Sequence, residues 1–372
     1  MATPFAPLIG LLLLASTQGG QVAPPPASVP DASPAAIQTA AERGDAKAMF
    51  RLGQMLASGK GVARNEKEAA MWYLRAADKG DARAMAALGV MYSKGRGVVA
   101  SDADAIRWYT LAAKLGEPSA MVALGARSAK GAGMPKDLAV AAEWYRQAAE
   151  AGSAHGMRLY ARALESGVGV PVDDKAAVVW LTRAAEAGDA ESACNLGVRH
   201  AAGRGVAQDP TAAIRWLRIA SEAGDAAAMF NLGLILAEGK GVVEDDALGF
   251  KWMKAAADRG DPPAMLRLAI MYRDGEGVGR DATEAYYWSS LAAETVGVEL
   301  QEKAAATRFE LGEGISRQAR ADADERADAW RAARKPAPSA PKPAPSASKP
   351  APSASKPAGD ADSDGTTTPD KL

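Results

Sequence analysis

Tryptophan returns every 36 residues through most of this chain, as Trp72, Trp108, Trp144, Trp180, Trp216, Trp252 and Trp288. Gly44 keeps the same step as Gly80, Gly116, Gly152, Gly188, Gly224 and Gly260. A fixed period of this length constrains the fold more than any composition figure does. A unit too small to bury its own apolar face must stack on its copies, which makes a quasi-one-dimensional solenoid.

The first copy shows what the unit is. Ala48, Met49, Leu52, Met55 and Leu56 follow the i, i+3, i+4, i+7 spacing of an amphipathic helix, helix A. Asp45 precedes it as N-cap, and Asp81, Glu117, Ser153, Asp189, Asp225 and Asp261 take the same place, Glu117 being the one weak cap. Pro118 and Pro262 stand at the first helical position, where proline sacrifices no hydrogen bond. The signals give helix A about 13 residues. It stops at Gly59, which suits a left-handed C-cap, and Gly61 turns the loop back so that Val62 folds inward. This pair recurs in every repeat, as far as Gly275/Gly277, with no preceding strand and no G-x-G-x-x-G run. It is therefore read as a helix stop and not as a phosphate loop.

Helix B opens at Asn65, Ser101, Asp137, Asp173, Asp209, Asp245 and Asp281, all good N-cap types, with Glu68 and Glu284 completing capping boxes. Ala69, Trp72, Tyr73, Ala76 and Ala77 share one face, so the seven indoles are read as core and not as a sugar-stacking surface. Gly53 lies inside helix A and returns as Gly89, Gly125, Gly197 and Gly233, with the small Ala161 and Ala269 in the other two repeats. Glycine there costs about 1 kcal/mol against alanine, so its recurrence predicts a close helix crossing.

The string A-x-A-M-x-x-L-G-x-x-Y/L-x-x-G-x-G-V, a polar cap, then A-x-x-W-Y-x-x-A-A-x-x-G-D resembles the Sel-one-like repeat (SLR) family, a relative of the tetratricopeptide repeat. The resemblance covers seven repeats over residues 44–295. It implies an all-α fold: an α/α right-handed superhelical solenoid of seven 36-residue helix-turn-helix repeats. The function it implies is a non-catalytic protein-protein interaction scaffold, of the kind met in bacterial signalling, envelope or polysaccharide systems. Some cysteine-rich members of that family are linked to penicillin binding or hydrolysis. This chain lacks their paired cysteines, which makes a hydrolase of that kind the remotest reading.

The flanks complete the plan. Leu8–Ala15 is an apolar core of signal-peptide length followed by small residues, so residues 1–23 are expected to be an export signal. No Lys or Arg precedes Leu8. The expected location is periplasmic or secreted, with the cytoplasm as the alternative. Residues 24–33 are a Pro/Ala-rich linker, and 34–43 read as an unpaired helix B capping the stack. Residues 296–334 read as two capping helices, Gly297–Leu311 and Ile315–Arg334, carrying Leu300, Phe309, Leu311, Ile315 and Trp330. Residues 335–358 form a disordered Lys/Pro/Ala/Ser-rich spacer with lysines seven apart, and 359–372 a disordered acidic tail.

Charge and chemistry narrow the function. A net charge of −1 argues against nucleic acid as the main partner. The apolar segment near the start is too short to span a bilayer. Cys194 is the only cysteine, which excludes an intrachain disulfide, and it sits at a packing position of helix A shared with Phe50, Val122 and Phe230. His155 and His200 are the only histidines, with no paired carboxylate pattern, so neither a zinc site nor a Cys–His dyad is expected. No cofactor is expected.

The candidate site is the helix A face opposite the apolar stripe, at Lys47, Arg51, Gln54, Ser58 and their copies. By resemblance to the tetratricopeptide family this face lines the concave groove. Repeats one to four place Lys47, Arg51, Arg83, Lys94, Lys130 and Arg162 there, with no acid among them. Repeats five to seven place Glu191, Glu238 and Asp274 there, with Arg267 the one base. Asn195 and Asn231 share one slot in adjacent repeats and offer amide donors and acceptors to an extended backbone. The expected ligand is another protein or an extended acidic peptide, steered toward the N-terminal half. The alternative is a glycan- or peptidoglycan-associated factor that binds polysaccharide directly.

Overall fold

The computed structural model describes residues 33–294 and 298–334. The expected export signal, nearly all of the linker, the spacer and the acidic tail lie outside the described residues. Those described form 17 helices and no strand. The chain opens with α1 (Pro34–Glu42), followed by the pairs α2 (Ala46–Ser58) with α3 (Glu66–Asp78), and α4 (Ala82–Lys94) with α5 (Asp102–Lys114). Next come α6 (Pro118–Lys130) with α7 (Leu138–Glu150), α8 (Ala154–Ser166) with α9 (Asp174–Glu186), and α10 (Ala190–Ala202) with α11 (Pro210–Glu222). The stack ends in α12 (Ala226–Glu238) with α13 (Asp246–Asp258), α14 (Pro262–Asp274) with α15 (Ala282–Ala292), then α16 (Val298–Gly314) and α17 (Arg317–Arg334).

Local chemistry sets each boundary. Asp45 accepts a hydrogen bond from the Ala48 amide at 3.0 Å, and the same cap recurs at the start of each A helix. Glu117 also caps, contrary to its weak propensity. Its longer side chain reaches the Ser119 amide at 3.2 Å and receives the Ser119 hydroxyl at 2.6 Å. The turn from helix B to the next helix A is closed in every repeat by a bond of one type, Asp81 N to Ala76 O at 3.1 Å being the first inside the repeats. The intervening Gly80 holds φ at 86°. The turn from A to B is closed by its own bond, Asn65 N to Leu56 O at 2.8 Å, with an equivalent in each repeat.

Two glycine columns decide how closely the helices pack. A Cβ on Gly53 would lie 2.6 Å from the Tyr73 ring, and one on Gly89 2.5 Å from the Tyr109 ring. In the first three repeats the tyrosine of helix B thus lies directly against bare backbone of helix A, and at Gly197 and Gly233 Leu217 and Met253 take its place. Where the column holds Ala161 the facing residue is Leu181, and where it holds Ala269 the facing residue is Ser289. The second glycine of the loop works between repeats. A Cβ on Gly97 would overlap the carbonyl oxygen of Glu66, the first residue of the preceding helix B, and Gly169 meets Leu138 in the same way. Each loop is therefore seated on its neighbour.

The core runs the length of the stack between the layers. Ala76, Ala112, Ala148, Ala184, Ala220 and Ala256 are fully buried, so backbones approach where helix B meets the next helix A. The tryptophans are less uniform than their register suggests. Trp72, Trp216 and Trp288 are buried, whereas Trp108, Trp144, Trp180 and Trp252 are half-buried although each packs on a core cluster. Arginines cover several indoles, with Arg75 4.6 Å from the Trp72 ring centroid and Arg183 4.8 Å from that of Trp180. Helix α1 packs on α2, burying Ile37 and Ala41. Helices α16 and α17 pack on α15, where Leu311, Ala323 and Ala327 are buried and Leu300, Ile315 and Trp330 half-buried. Phe309 does not join that packing and is 69% exposed.

Two outcomes are expected. Gly125→Ala would overlap the Tyr145 ring and destabilise by about 1–3 kcal/mol, outweighing its gain in helix propensity. Adding Tyr145→Leu, which recreates the Ala161/Leu181 pair, recovers part of the loss in urea titration. Trp216→Ala costs about 3–5 kcal/mol and Trp144→Ala distinctly less, because its indole is half-buried. Equal losses at the two sites would contradict this account of the ladder.

Candidate functional site

The A helices of successive repeats touch, α4 with α6, α6 with α8 and α10 with α12, more closely than the B helices do. The closer layer is the inside of the curve, so the A helices line the concave face. Their outward positions meet in shared clefts. Gln54, Arg83, Ala87, Val90, Ser119 and Ala123, from three consecutive A helices, line one cleft of about 320 Å³. Leu159, Arg162, Glu191 and Asn195 line a smaller one of about 40 Å³ between repeats four and five. Of the candidate positions, Arg83 borders the first cleft and Arg162 and Asn195 the second.

Side-chain environment separates the candidates. Lys47, Arg51, Arg83, Lys94, Lys130, Arg162 and Asn195 are exposed, while Asn231 and Arg267 are half-buried. Arg83 is engaged by Asp81 at 2.7 Å, and that hydrogen bond holds its guanidinium charged. Its carbon also lies 4.7 Å from the Phe50 ring centroid. Arg267 pairs with Glu276 at 2.6 Å. Asn231 donates to the Ala227 carbonyl at 2.9 Å, which ties one of its two amide hydrogens to its own helix. Lys47, Lys94, Lys130 and Arg162 have no ion pair among the described residues. The acids lie at Glu191, Glu238 and Asp274, the last paired with Arg273 at 2.8 Å and held below the usual carboxylate range by that bond.

Three features escaped sequence reasoning. The column of Gln54 continues as Val90, Ala126, Arg162, Val198, Leu234 and Ile270, apolar at five of its seven places if Ala126 is counted, with Val90 38% and Val198 42% exposed and Leu234 and Ile270 half-buried. Reading that one column down the period would have found it. Arg158 stands in the column of Phe50 and Cys194 and binds Glu191 at 2.6 Å and Asp189 at 3.1 Å, joining repeat four to repeat five.

The third is a buried clip built twice. Arg127 and Arg199 occupy the column of Met55 and Met91, and both are buried. Arg127 reaches back to Asp102 at 2.8 Å and Ser93 at 2.6 Å, and also binds the Ala132 carbonyl at 3.0 Å. Arg199 reaches back to Glu165 at 2.7 Å and Asp174 at 3.1 Å, and binds the Arg204 carbonyl at 3.3 Å. Each guanidinium ties its own loop to both helices of the preceding repeat. Isolated from the period, either arginine reads as a solvated charge.

The Cys194 thiol is 6% exposed, and burial, aided by nearby Asp225, pushes it up to about 12, so it remains protonated. Among the described residues no group of three or more His, Cys, Asp or Glu is placed to hold a metal ion. No helix there is long and apolar enough to cross a membrane.

Comparison with known proteins agrees with this architecture. The family model for the Sel1 repeat matches residues 46–81, 82–117, 118–153, 154–189, 190–225, 226–261 and 262–294. The crystal structure of a Sel1 repeat protein from Oxalobacter formigenes is similar at 30% identity and a TM-score of 0.58, over 72% of this chain and 78% of its own. A protective antigen of uropathogenic Escherichia coli strains, displaying an SLR fold, is similar at 24% identity and a TM-score of 0.43, over 82% of this chain and 90% of its own. No curated protein matches the chain.

The clip makes stability depend on pH. Hydrogen bonding to Arg199 lowers the folded-state pKa of Asp174. Its contribution is complete above the unfolded carboxylate value of about 3.9 and is lost as pH falls through the lower folded value. Arg199→Met, which restores the residue type of the column, is expected to lower the melting temperature at pH 7. The gap to the parent closes progressively below pH about 4. A gap that is constant across that range would mean the carboxylate contributes nothing.

Proposed function

Because the chain belongs to the Sel1 repeat family, whose members are generally protein-interaction scaffolds, we propose that its groove of A helices grips an extended acidic segment of a partner protein. One observation carries the reading. Lys47, Lys94, Lys130 and Arg162 stand without an ion pair on the concave face of the first four repeats, with Val90 exposed on the same face. Unpaired cations favour an anionic chain, and their field steers its approach. The carboxylates Glu191, Glu238 and Asp274 of the last three repeats are each paired with a base, and the unpaired cations among the candidate positions are confined to the first four repeats, which gives the bound chain a direction. A helical solenoid offers such an extended surface without local folding on binding. A role in the bacterial envelope is part of the proposal, supported by the apolar run Leu8–Ala15 and the small residues after it. Direct glycan binding finds less support, since the seven indoles pack on the core clusters.

Charge reversal tests the groove. Lys94→Glu, Lys130→Glu and Arg162→Glu together are expected to weaken binding of a polyglutamate-rich peptide at least tenfold at low salt and to flatten its salt dependence, with the helical circular dichroism unchanged. Unaltered affinity would remove the groove from the interaction. Location has its own measurement: the mature protein from fractionated cells is expected in the periplasm, with its N-terminus between about Ser16 and Pro24. Intact Met1 in the cytosol would defeat that placement.

A further inference from the structure

The cleft of about 320 Å³ over repeats one to three has a local cause. Ala86 stands in a column otherwise filled by Phe50, Val122, Arg158, Cys194, Phe230 and Leu266. Ala87 and Ala123 stand in the column of Arg51, Leu159, Asn195, Asn231 and Arg267. Bulk is missing from both columns only here, so the floor drops to the rings of Phe50, Tyr73 and Tyr109. The volume is at the bottom of the range of about 300–1,000 Å³ typical of ligand pockets, which suits one large side chain better than a whole small molecule.

The walls say which side chain. Phe50 and Tyr73 lie 5.8 Å apart with a 42° tilt, and Arg83 borders the same cleft with its guanidinium over Phe50. Rings and a guanidinium edge favour an aromatic guest through offset stacking and cation–π contact. The Tyr73 and Tyr109 hydroxyls have no hydrogen-bond partner among the described residues. Burial pushes Tyr73 up to about 12, so this hydroxyl stays a donor across the working pH range. Lys94 follows Val90 by four residues, about 6 Å along α4, and Lys130 occupies the equivalent place one repeat on. The two lysines form an outer rim beyond one end of the cleft, Lys94 about 6 Å past Val90 and Lys130 about 10 Å past Ala123, while Glu117 lines the cleft at the start of α6.

We propose that this cleft is a socket for one aromatic side chain of an extended acidic segment, with carboxylates two to three residues from the ring reaching Lys94 and Lys130. The proposal rests on the groove reading above and specifies the anchor that sets the register of the bound chain. An extended strand advances about 3.3 Å per residue, so acids at that separation lie about 7–10 Å from the ring and meet the rim.

Three labelled nine-residue peptides test it by fluorescence polarisation with the full chain. The first has a central tryptophan flanked by glutamates, the second replaces the tryptophan with alanine, and the third replaces the glutamates with lysines. The tryptophan–glutamate peptide is expected to bind at least tenfold tighter than the other two. Ala87→Leu fills the socket with the side chain that Leu159 already places in that column, and Ala86→Phe does so with that of Phe50. Either variant is expected to abolish the advantage of tryptophan while leaving the alanine peptide unaffected, with circular dichroism reporting the fold. Equal binding of the tryptophan and alanine peptides, both lost on charge reversal of Lys94, Lys130 and Arg162, would overturn the socket and leave the groove standing. Binding of neither glutamate peptide at low salt would overturn both. Undiminished tryptophan binding by the filled variants would place the ring elsewhere.

Discussion

The stack depends on one close approach within each repeat, a helix B side chain set against glycine or alanine of helix A, with tyrosine on glycine in the first three repeats. At Gly53/Tyr73, Gly89/Tyr109 and Gly125/Tyr145 a Cβ would stand 2.5–2.6 Å from the ring. A mid-helix glycine weakens an isolated helix, so the sequence accepts a local cost for contact area between the two helices. The crossing fixes the separation within each repeat. Fully buried alanines then set the separation between repeats, and repetition of the two distances builds the superhelix.

Coupling between repeats is stronger than apolar contact alone would make it. The loop glycines rest on the start of the preceding helix B, Arg127 bridges repeats two and three, and Arg158 and Arg199 bridge repeats four and five. Buried ion pairs of this kind are weak evidence for raw stability, since desolvation offsets much of their Coulomb energy. Their geometry does restrict how one repeat rotates on the next. A groove whose curvature is fixed in this way loses little freedom on binding, which is the physical advantage of a preorganised surface.

The same regularity makes departures from it informative. A solenoid of identical repeats would present an identical face seven times. Here the concave columns change from Lys94 and Lys130 to Glu238 and Asp274, and from Phe50 to Ala86 to Arg158. The buried columns hold small or apolar residues with few exceptions, because each must fit the same neighbours. Variation in charge concentrates at exposed positions such as Lys94 and Lys130, where internal packing does not restrain it.

The sequence alone determined the period, the helix limits, the caps and the all-α stack, because these follow from local rules repeated in phase. Asp45, Gly59 and Asn65 act within a few residues of themselves, and seven copies average out any one poor signal such as Glu117. The packing role of the Gly53 column was legible for the same reason, although its tyrosine partner was not. Tertiary structure alone decided which charges are spent and which are free. Arg83 and Lys94 look alike in sequence, yet Asp81 occupies the first and nothing among the described residues pairs with the second. It also decided that Arg127 and Arg199 are internal clips, and that Ala86, Ala87 and Ala123 together open a cleft. Pairing and volume arise between residues about one period apart, and a pattern read along one helix carries no information about what stands across the gap.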